Sequence, residues 1–553
     1  LPFLFSEASA EFRDKVQAVE DRADDCYQLL RLLKRPRNLA AWALLTRMAL
    51  GLERTLQEYG ANSPRHRMAV INLDLCTCGF KFIAVHCKPE SRLAEKYTWH
   101  GSIAQDAGDA LDLCIKYNHF LNVFPMWHKN HEQVDLLPEG QVRFHIPRDS
   151  PRQRQAIAYK HIFRPSEEEY RPWGSVRTSE SPDATRLLGE LVHQVRPAGL
   201  PGKFKYEPSL ELIEALRPKY QERLDENFRH PDSFQLNGYS LHEFKSFYVA
   251  LLILCAIHEN ICYPWKENGH PIPVSSLVMV KKRVVWNAKL SEISKIPIAT
   301  CDKIVSDLTL DALTKPYSSM CIHPFVPIDK HFNTLAVAPQ FPLASAVDEN
   351  ILRSFSHLSP ALFSAQNTRK EAVMIERIRN ANSRYRLEFS IGLPDKSTEI
   401  DALFEDEASS TVILAELKWI RKPGRPLEQI ARDAEVEKGI SQLSLIRAYS
   451  RREPDFLRAR GKLALPLTSY ANVHYLLLAR DYWFWIDPDD EIAIVDFDVF
   501  LTAFESGNSL QELVAGLLKY DWLPIEGRDF HATYEASGVN GAVMESAIFK
   551  PAR

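Results

Sequence analysis

The stretch STVILAELKWI, Ser410 to Ile420, closes an apolar run with a carboxylate and an amine, Glu416 and Lys418, two residues apart. In a strand that spacing puts both side chains on one face. Taking charged groups out of water costs on the order of several kcal/mol per ion, so something must offset it. A preceding strand-like segment, TEIDALFE, supplies Asp401. A hairpin joining the two segments sets Asp401 beside Glu416, with Lys418 one side-chain repeat further along the same face. Two carboxylates held together repel, and a divalent cation removes that penalty. Mg²⁺ prefers oxygen ligands and combines one or two carboxylates with waters and substrate phosphate, and Mn²⁺ is the expected substitute. The backbone carbonyl of Leu417 is a third oxygen within the same segment. Such an ion activates water and neutralises phosphate charge during in-line attack, with Lys418 against the scissile phosphate or the attacking water. The plain alternative is a Glu416–Lys418 ion pair on a solvated sheet face, worth about 0 to 1 kcal/mol.

The flanking elements must position these groups. RKEAVMIERIRNA reads as a helix with Val373, Met374, Ile375 and Ile378 inward, and YRLEFSIG, TEIDALFE and STVILAELKWI read as three strands. After the loop RKPGRP come a helix from about Leu427 to Tyr449, the strand VHYLLLAR and a helix over about 497–518. Strands and helices alternating around buried apolar runs predict an α/β sheet rather than a sandwich.

EID at 399–401, then fourteen residues, then ELK at 416–418, resembles the PD-(D/E)xK nuclease superfamily, the restriction-endonuclease-like fold. The resemblance covers roughly residues 365–520. It implies an α/β core, a mixed sheet flanked by helices, with Asp401 and Glu416 as metal ligands and Lys418 as the catalytic lysine. It further implies Glu371 on the preceding helix, with Glu376 as second choice, and Gln442 on the helix after the lysine strand. Ile400 stands where the family's nominal proline would be, and that proline is not a ligand.

Charge supports a nucleic-acid substrate locally. Residues 421–462 hold eleven Lys or Arg against six acids, a phosphate track beside the site. Arg421, Lys422 and Arg425 follow the lysine strand directly, and Lys438 lies on the next helix. For ARDAEVEKG a solvated face with paired charges is the better reading.

The rest of the chain bounds the answer less tightly. At 553 residues it predicts about three or four domains. With 45% hydrophobic residues and a net charge of -4, it is not a chain that coats nucleic acid or membrane indiscriminately. Nine cysteines, an odd number within the first 321 residues, are no secreted disulfide framework and predict an intracellular, cytoplasmic protein. The start, LPFLFSEASAEFRDKV, reads as neither signal peptide nor membrane span, and FYVALLILCAI at 247–257 reads as a buried helix.

The expected organisation is an N-terminal helical and hairpin module over 1–130, a loop-rich connector over 131–205, a helical domain over 206–345 and the nuclease-like domain over 365–553. The N-terminal region is thus mainly helical α+β. Its hairpin is expected in RMAVINLDLCTCGFKFIAVHCK, turning near Gly79. KLSEISKIPIATCDKIVSDLTLD resembles a helix-turn-helix with room for a wing, the turn at Ile296–Pro297. Asp302 and Asp307 beside a single Lys303 argue against that segment reading DNA.

Cys76, Cys78, His86 and Cys87 have the wrong spacing for a zinc knuckle and read as thiols in a hairpin. HKNH at 128–131 reads as surface histidines. No P-loop, zincin or nucleophile-elbow motif occurs. The expectation is a Mg²⁺-dependent endonuclease acting on DNA, in the manner of restriction or anti-phage effectors, with RNA as the competing substrate. Its expected company is a second copy or an activating protein. The alternative is a nucleic-acid-binding regulator or assembly subunit that keeps the fold without cutting.

Overall fold

Small polar residues start several helices. Ser9 accepts from the Phe12 N–H at 3.2 Å, Ser181 from Ala184 at 3.2 Å, and Ser509 forms a reciprocal capping box with Glu512. The computed structural model describes residues 4–60, 63–90, 98–130, 132–137, 141–145, 154–155, 158, 181–197, 204–227, 232–267, 274–314, 319–344, 355, 359–382, 384–420, 426–480, 492–506 and 509–552. It is a mixed α/β protein whose larger sheets combine parallel and antiparallel pairs and are flanked by helices.

The N-terminal helices are α1 (Ala10–Asp24), α2 (Arg37–Tyr59), α3 (Pro64–Asp74), α4 (Cys78–His86) and α5 (Gly101–His128). The hairpin expected around Gly79 is therefore helical. Its apolar residues satisfy both periods, and the buried Leu73, Cys76, Phe80 and Ile83 follow the three-to-four spacing of a helix face. Gly79 marks a close crossing instead of a turn, because a Cβ there would meet Leu44 Cδ2 at 2.7 Å and Cys114 Sγ at 2.9 Å.

The segment expected as loops contains regular structure where it is described. Strands β1 (Gln133–Leu137) and β2 (Gln141–His145) pair antiparallel, and α6 spans Pro182–Gln194. Residues 146–153 and 159–180 lie outside the described residues.

The middle of the chain packs around one long apolar helix. α7 (Leu210–Asn227) and α8 (Leu241–Glu267) share a core. Leu241–Cys262 is long and apolar enough to cross a membrane by length and composition, and most of it is buried within the fold. Then follow β3 (Met279–Lys282), α9 (Arg283–Ser294), α10 (Ile298–Asp307), β4 (Val326–Pro327) and β5 (Thr334–Val337). β5 pairs antiparallel with both β3 and β4. Lys295, in the left-handed region at φ 62°, ends α9 and begins the turn.

The last third gives α11 (Pro360–Ala381), β6 (Arg386–Gly392), β7 (Glu399–Asp406), β8 (Thr411–Trp419), α12 (Pro426–Arg452), β9 (Asn472–Arg480), β10 (Ile492–Asp496), α13 (Phe497–Glu505) and α14 (Leu510–Lys519). The sheet runs β10-β9-β8-β7-β6, antiparallel from β6 to β8 and parallel from β8 to β10. Val436, Leu443 and Ile446 of α12 cover one face. Met374 and Ile378 of α11, with Phe500, Phe504, Leu513 and Leu517 of α13 and α14, cover the other. The single helix expected over 497–518 is thus two.

The chain then returns to its beginning. β11 (Phe530–Val539) and β12 (Ala542–Pro551) form a hairpin, and β12 pairs parallel with β2 to give the sheet β1-β2-β12-β11. Arg143 Nε donates to Glu545 Oε2 at 2.7 Å across that junction. Val539, Ala542 and Met544 join Val134, Val142 and Phe144 in the N-terminal core. The end of the expected 365–553 unit therefore belongs structurally to the N-terminal module.

Candidate active site

β7 and β8 are zipped from Thr411↔Asp406 to Ala415↔Ala402, where their ladder stops. β8 stays paired to β9 as far as Trp419↔Arg480. The two strands therefore part where Asp401 and Glu416 sit, and the freed Leu417 N–H donates to Asp401 Oδ2 at 2.8 Å. Because the N–H and C=O of one strand residue point the same way, the Leu417 carbonyl faces that gap as well.

Lys418 Nζ makes a short ion pair with Glu416 Oε1, and the Glu416 side chain is 1% exposed. Its other oxygen, Oε2, has no hydrogen-bond partner. Two buried carboxylates at the opposite end of β7 show what full satisfaction looks like. Glu405 accepts at Oε1 from the Ala464 N–H at 3.0 Å and from the Tyr470 hydroxyl, and at Oε2 from Arg386 Nη1 at 3.5 Å. Asp406 accepts from Ala408 N, Ser409 N, Ser409 Oγ and Leu510 N, and although burial opposes it these donors hold its carboxyl below the usual range. A buried oxygen without a partner costs roughly 1–3 kcal/mol, more when charged, which sets Glu416 apart from Glu405 and Asp406.

Electrostatics agree. Burial pushes the Asp401 carboxyl up, against the pull of the Leu417 N–H and Lys418. Burial and then Asp401 push Glu416 well above the usual range, the pull of Lys418 notwithstanding. Burial alone would lower the Lys418 ammonium, but Glu416, Asp401 and Glu371 hold it above its ordinary value. Glu371, half-buried on α11, is raised first by burial, and it feels Lys418, Glu399 and Lys438.

Gln442 on α12 donates from Nε2 to Thr398 Oγ1 at 3.3 Å, while its buried Oε1 has no partner. One turn earlier Gly439 lets α12 approach the sheet: a Cβ there would lie 2.8 Å from Leu477 Cδ1 and 3.4 Å from Lys418 Cε. Lys438 is exposed. Arg421, Lys422 and Arg425 lie outside the described residues.

The structure thus brings together Asp401, Glu416 and Lys418, places Glu371 in their field, and sets Gln442 on a neighbouring loop contact. Sequence reasoning missed Glu399, two residues before Asp401, whose charge raises both Asp401 and Glu371. The period of two along β7 would have found it. It also missed Gly439, whose signal was a glycine inside a helix, a position that costs about 1 kcal/mol against alanine.

Among the described residues no three His, Cys, Asp or Glu side chains are gathered into a cage for a metal. The oxygens on hand are those of Asp401, Glu416 and the Leu417 carbonyl. Such a set fits Mg²⁺, which takes few protein ligands and keeps its waters. The thiols at Cys76 and Cys78 are buried and Cys87 is half-buried, while His86 stacks on Tyr27 with ring centroids 3.9 Å apart. Compared with protein-family models, with curated proteins and with solved structures, the chain matches none of them.

Proposed function

We propose that residues 365–520 are a metal-dependent phosphodiesterase of the restriction-endonuclease-like kind, a nuclease acting on DNA. The observation that carries the reading is the orphaned, buried Glu416 Oε2 beside Asp401 at the gap between β7 and β8. The order helix, three strands, helix, strand and the mixed sheet flanked by helices support it. Asp401, Glu416 and the Leu417 carbonyl would hold Mg²⁺. When bound, the cation supplies charge neutralisation and an activated water.

The chain's own groups do the rest. Leu417 N–H fixes one Asp401 oxygen and leaves the other to bind. Lys418, 18% exposed and paired with Glu416, would turn its ammonium toward a phosphate oxygen as charge builds there. Lys438 adds positive potential at the rim.

The test is incubation of supercoiled, linear and single-stranded DNA and of RNA with Mg²⁺, Mn²⁺ or EDTA. Cleavage is expected with either metal, lost in EDTA and in Asp401→Asn and Lys418→Met. Absence of metal-dependent cutting of every substrate overturns the reading, and preference for RNA corrects the substrate.

A further inference from the structure

The segment around residues 279–337 has a second set of features that the nuclease reading does not use. Strand β3 leads into α9, the turn Lys295–Ile296–Pro297 leads into α10, and β4 and β5 return beside β3. This is a helix-turn-helix followed by a two-stranded wing. The turn is three residues long, the length such units use. Its core is made by Trp286, Leu290, Ile293, Cys301, Ile304 and Val305, and Trp286 Nε1 donates to the Leu335 carbonyl at 3.1 Å.

Which residues of α10 face outward decides what the unit can bind. Of the two acids that argue against DNA, Asp307 is buried, and Asp302, with its side chain 49% exposed, is neutralised by an ion pair with Arg283. Asp302 accepts from Arg283 Nε at 2.7 Å and from Asn287 Nδ2 at 2.6 Å. Asp307, 7% exposed, accepts from the Tyr239 hydroxyl at 2.7 Å and from Asn237 Nδ2 at 3.0 Å. The exposed residues of α10 are Ile298, Ala299, Lys303 and Ser306, so Lys303 is the charge left over once Asp302 is paired with Arg283.

Arg283 ties this face to the wing. Its backbone N–H donates to the Asn333 carbonyl at 2.8 Å, while its guanidinium reaches Asp302 and Ser306. The turn between β4 and β5 exposes Lys330 and His331, and Lys282 is exposed at the base of β3. Asp329 accepts from the N–H groups of His331 and Asn333 at 2.9 and 3.0 Å, and Glu90 accepts from the Lys330 N–H. Those carboxylates shape the turn through its backbone. Glu292 and Glu207 are engaged with Lys289 on α9.

We infer that this corner is a docking surface for duplex DNA, with α10 in the major groove and the β4–β5 turn along the phosphate backbone. A B-form major groove about 12 Å wide admits a helix, whereas the deep, narrow groove of A-form RNA does not. Lys282, Lys303, Lys330 and His331 complement phosphate, and Thr300, Ser306 and the apolar Ile298 and Ala299 suit base edges and thymine methyl groups. The inference deepens the nuclease reading by adding a duplex reader outside the cutting site, yet it is tested without cleavage.

The experiment is fluorescence anisotropy of a labelled DNA duplex with the full chain in EDTA, from 50 to 200 mM salt, for wild type, Lys303→Glu, Lys330→Glu and the double variant. Lys519→Glu, an exposed lysine elsewhere, is the control, and circular dichroism checks folding. Each reversal should weaken binding about tenfold, the double about a hundredfold, and flatten the salt slope by roughly one per lost contact. An RNA duplex of the same length should bind far more weakly. Equal binding by the folded double variant and the control, or equal loss on RNA and DNA duplexes, overturns the inference. A chain that binds DNA here and never cuts would sink the nuclease reading and leave this one standing.

Discussion

Replacing Glu416 by Gln separates a strained ligand from an ordinary ion pair. In the folded protein the carboxyl is raised by burial and by Asp401, and that rise is net of everything Lys418 contributes. A carboxyl raised on folding binds protons more tightly in the native state. Its contribution to stability is present in full below the unfolded value, near 4.5, and is lost as pH rises through the folded one. Above about pH 8 the wild type carries an ion its surroundings disfavour, and glutamine, shaped like the protonated acid, does not. Raised from 4.5 to about 8, the carboxyl shifts by about 3.5 pH units, which is on the order of 5 kcal/mol at about 1.4 kcal/mol each. For a unit of 150–250 residues this is about 10–20 °C in Tm. Thermal melts in EDTA should therefore show Glu416→Gln above wild type at pH 8.5, with the gap closing by pH 4.5. Adding Mg²⁺ should raise the wild type alone. If Glu416→Gln melts below wild type at pH 8.5, the Glu416–Lys418 pair is a stabilising salt bridge and the argument from the orphaned oxygen fails.

Two further outcomes follow from the packing. Gly439→Ala gains about 1 kcal/mol of helix propensity but crowds Leu477 and touches the stem of Lys418, so kcat should fall several-fold with KM unchanged. The double variant with Leu477→Ala should recover stability and not kcat, and recovery of both would show that Lys418 is not the group disturbed. His258, fully buried, is hydrogen-bonded to the Tyr206 hydroxyl at 2.8 Å and the Ser276 carbonyl at 2.7 Å, and burial lowers it to about 4. Because the unfolded chain takes up that proton near 6.5, wild type should lose about 3 kcal/mol between pH 6.5 and 4. Denaturant titrations of His258→Gln should show a flatter pH profile over that window, and an unchanged slope would refute the assignment.

The sequence made the site legible because its signals are local. Three strands at 386–419 announce themselves by period and by β-branched residues, and the long helix after them by its stripe. Asp401 and Glu416 could be paired on paper because a hairpin fixes register over a few residues. Helical and strand periods coincide in RMAVINLDLCTCGFKFIAVHCK, so only the tertiary crossing at Gly79 decides between them. The orientation of Asp302 and Asp307 depends on Arg283 and Tyr239, partners supplied by distant turns of chain, and no spacing rule reports that. The β2–β12 pairing joins His145's neighbourhood to residues near the end, a contact that composition and periodicity leave invisible.

That same pairing means the unit built on the five-stranded sheet is joined to the rest of the chain at both of its ends. The chain enters it from the middle helices through α11 and leaves it into a hairpin seated on the N-terminal sheet, whose turn residue Asn540 also donates to the Arg22 carbonyl at 2.7 Å. A body on one tether swings freely, whereas one joined at both ends and packed along α12 against α5 does not. A shift of α1 or α5 is therefore passed to this unit through the terminal hairpin and through α12 together.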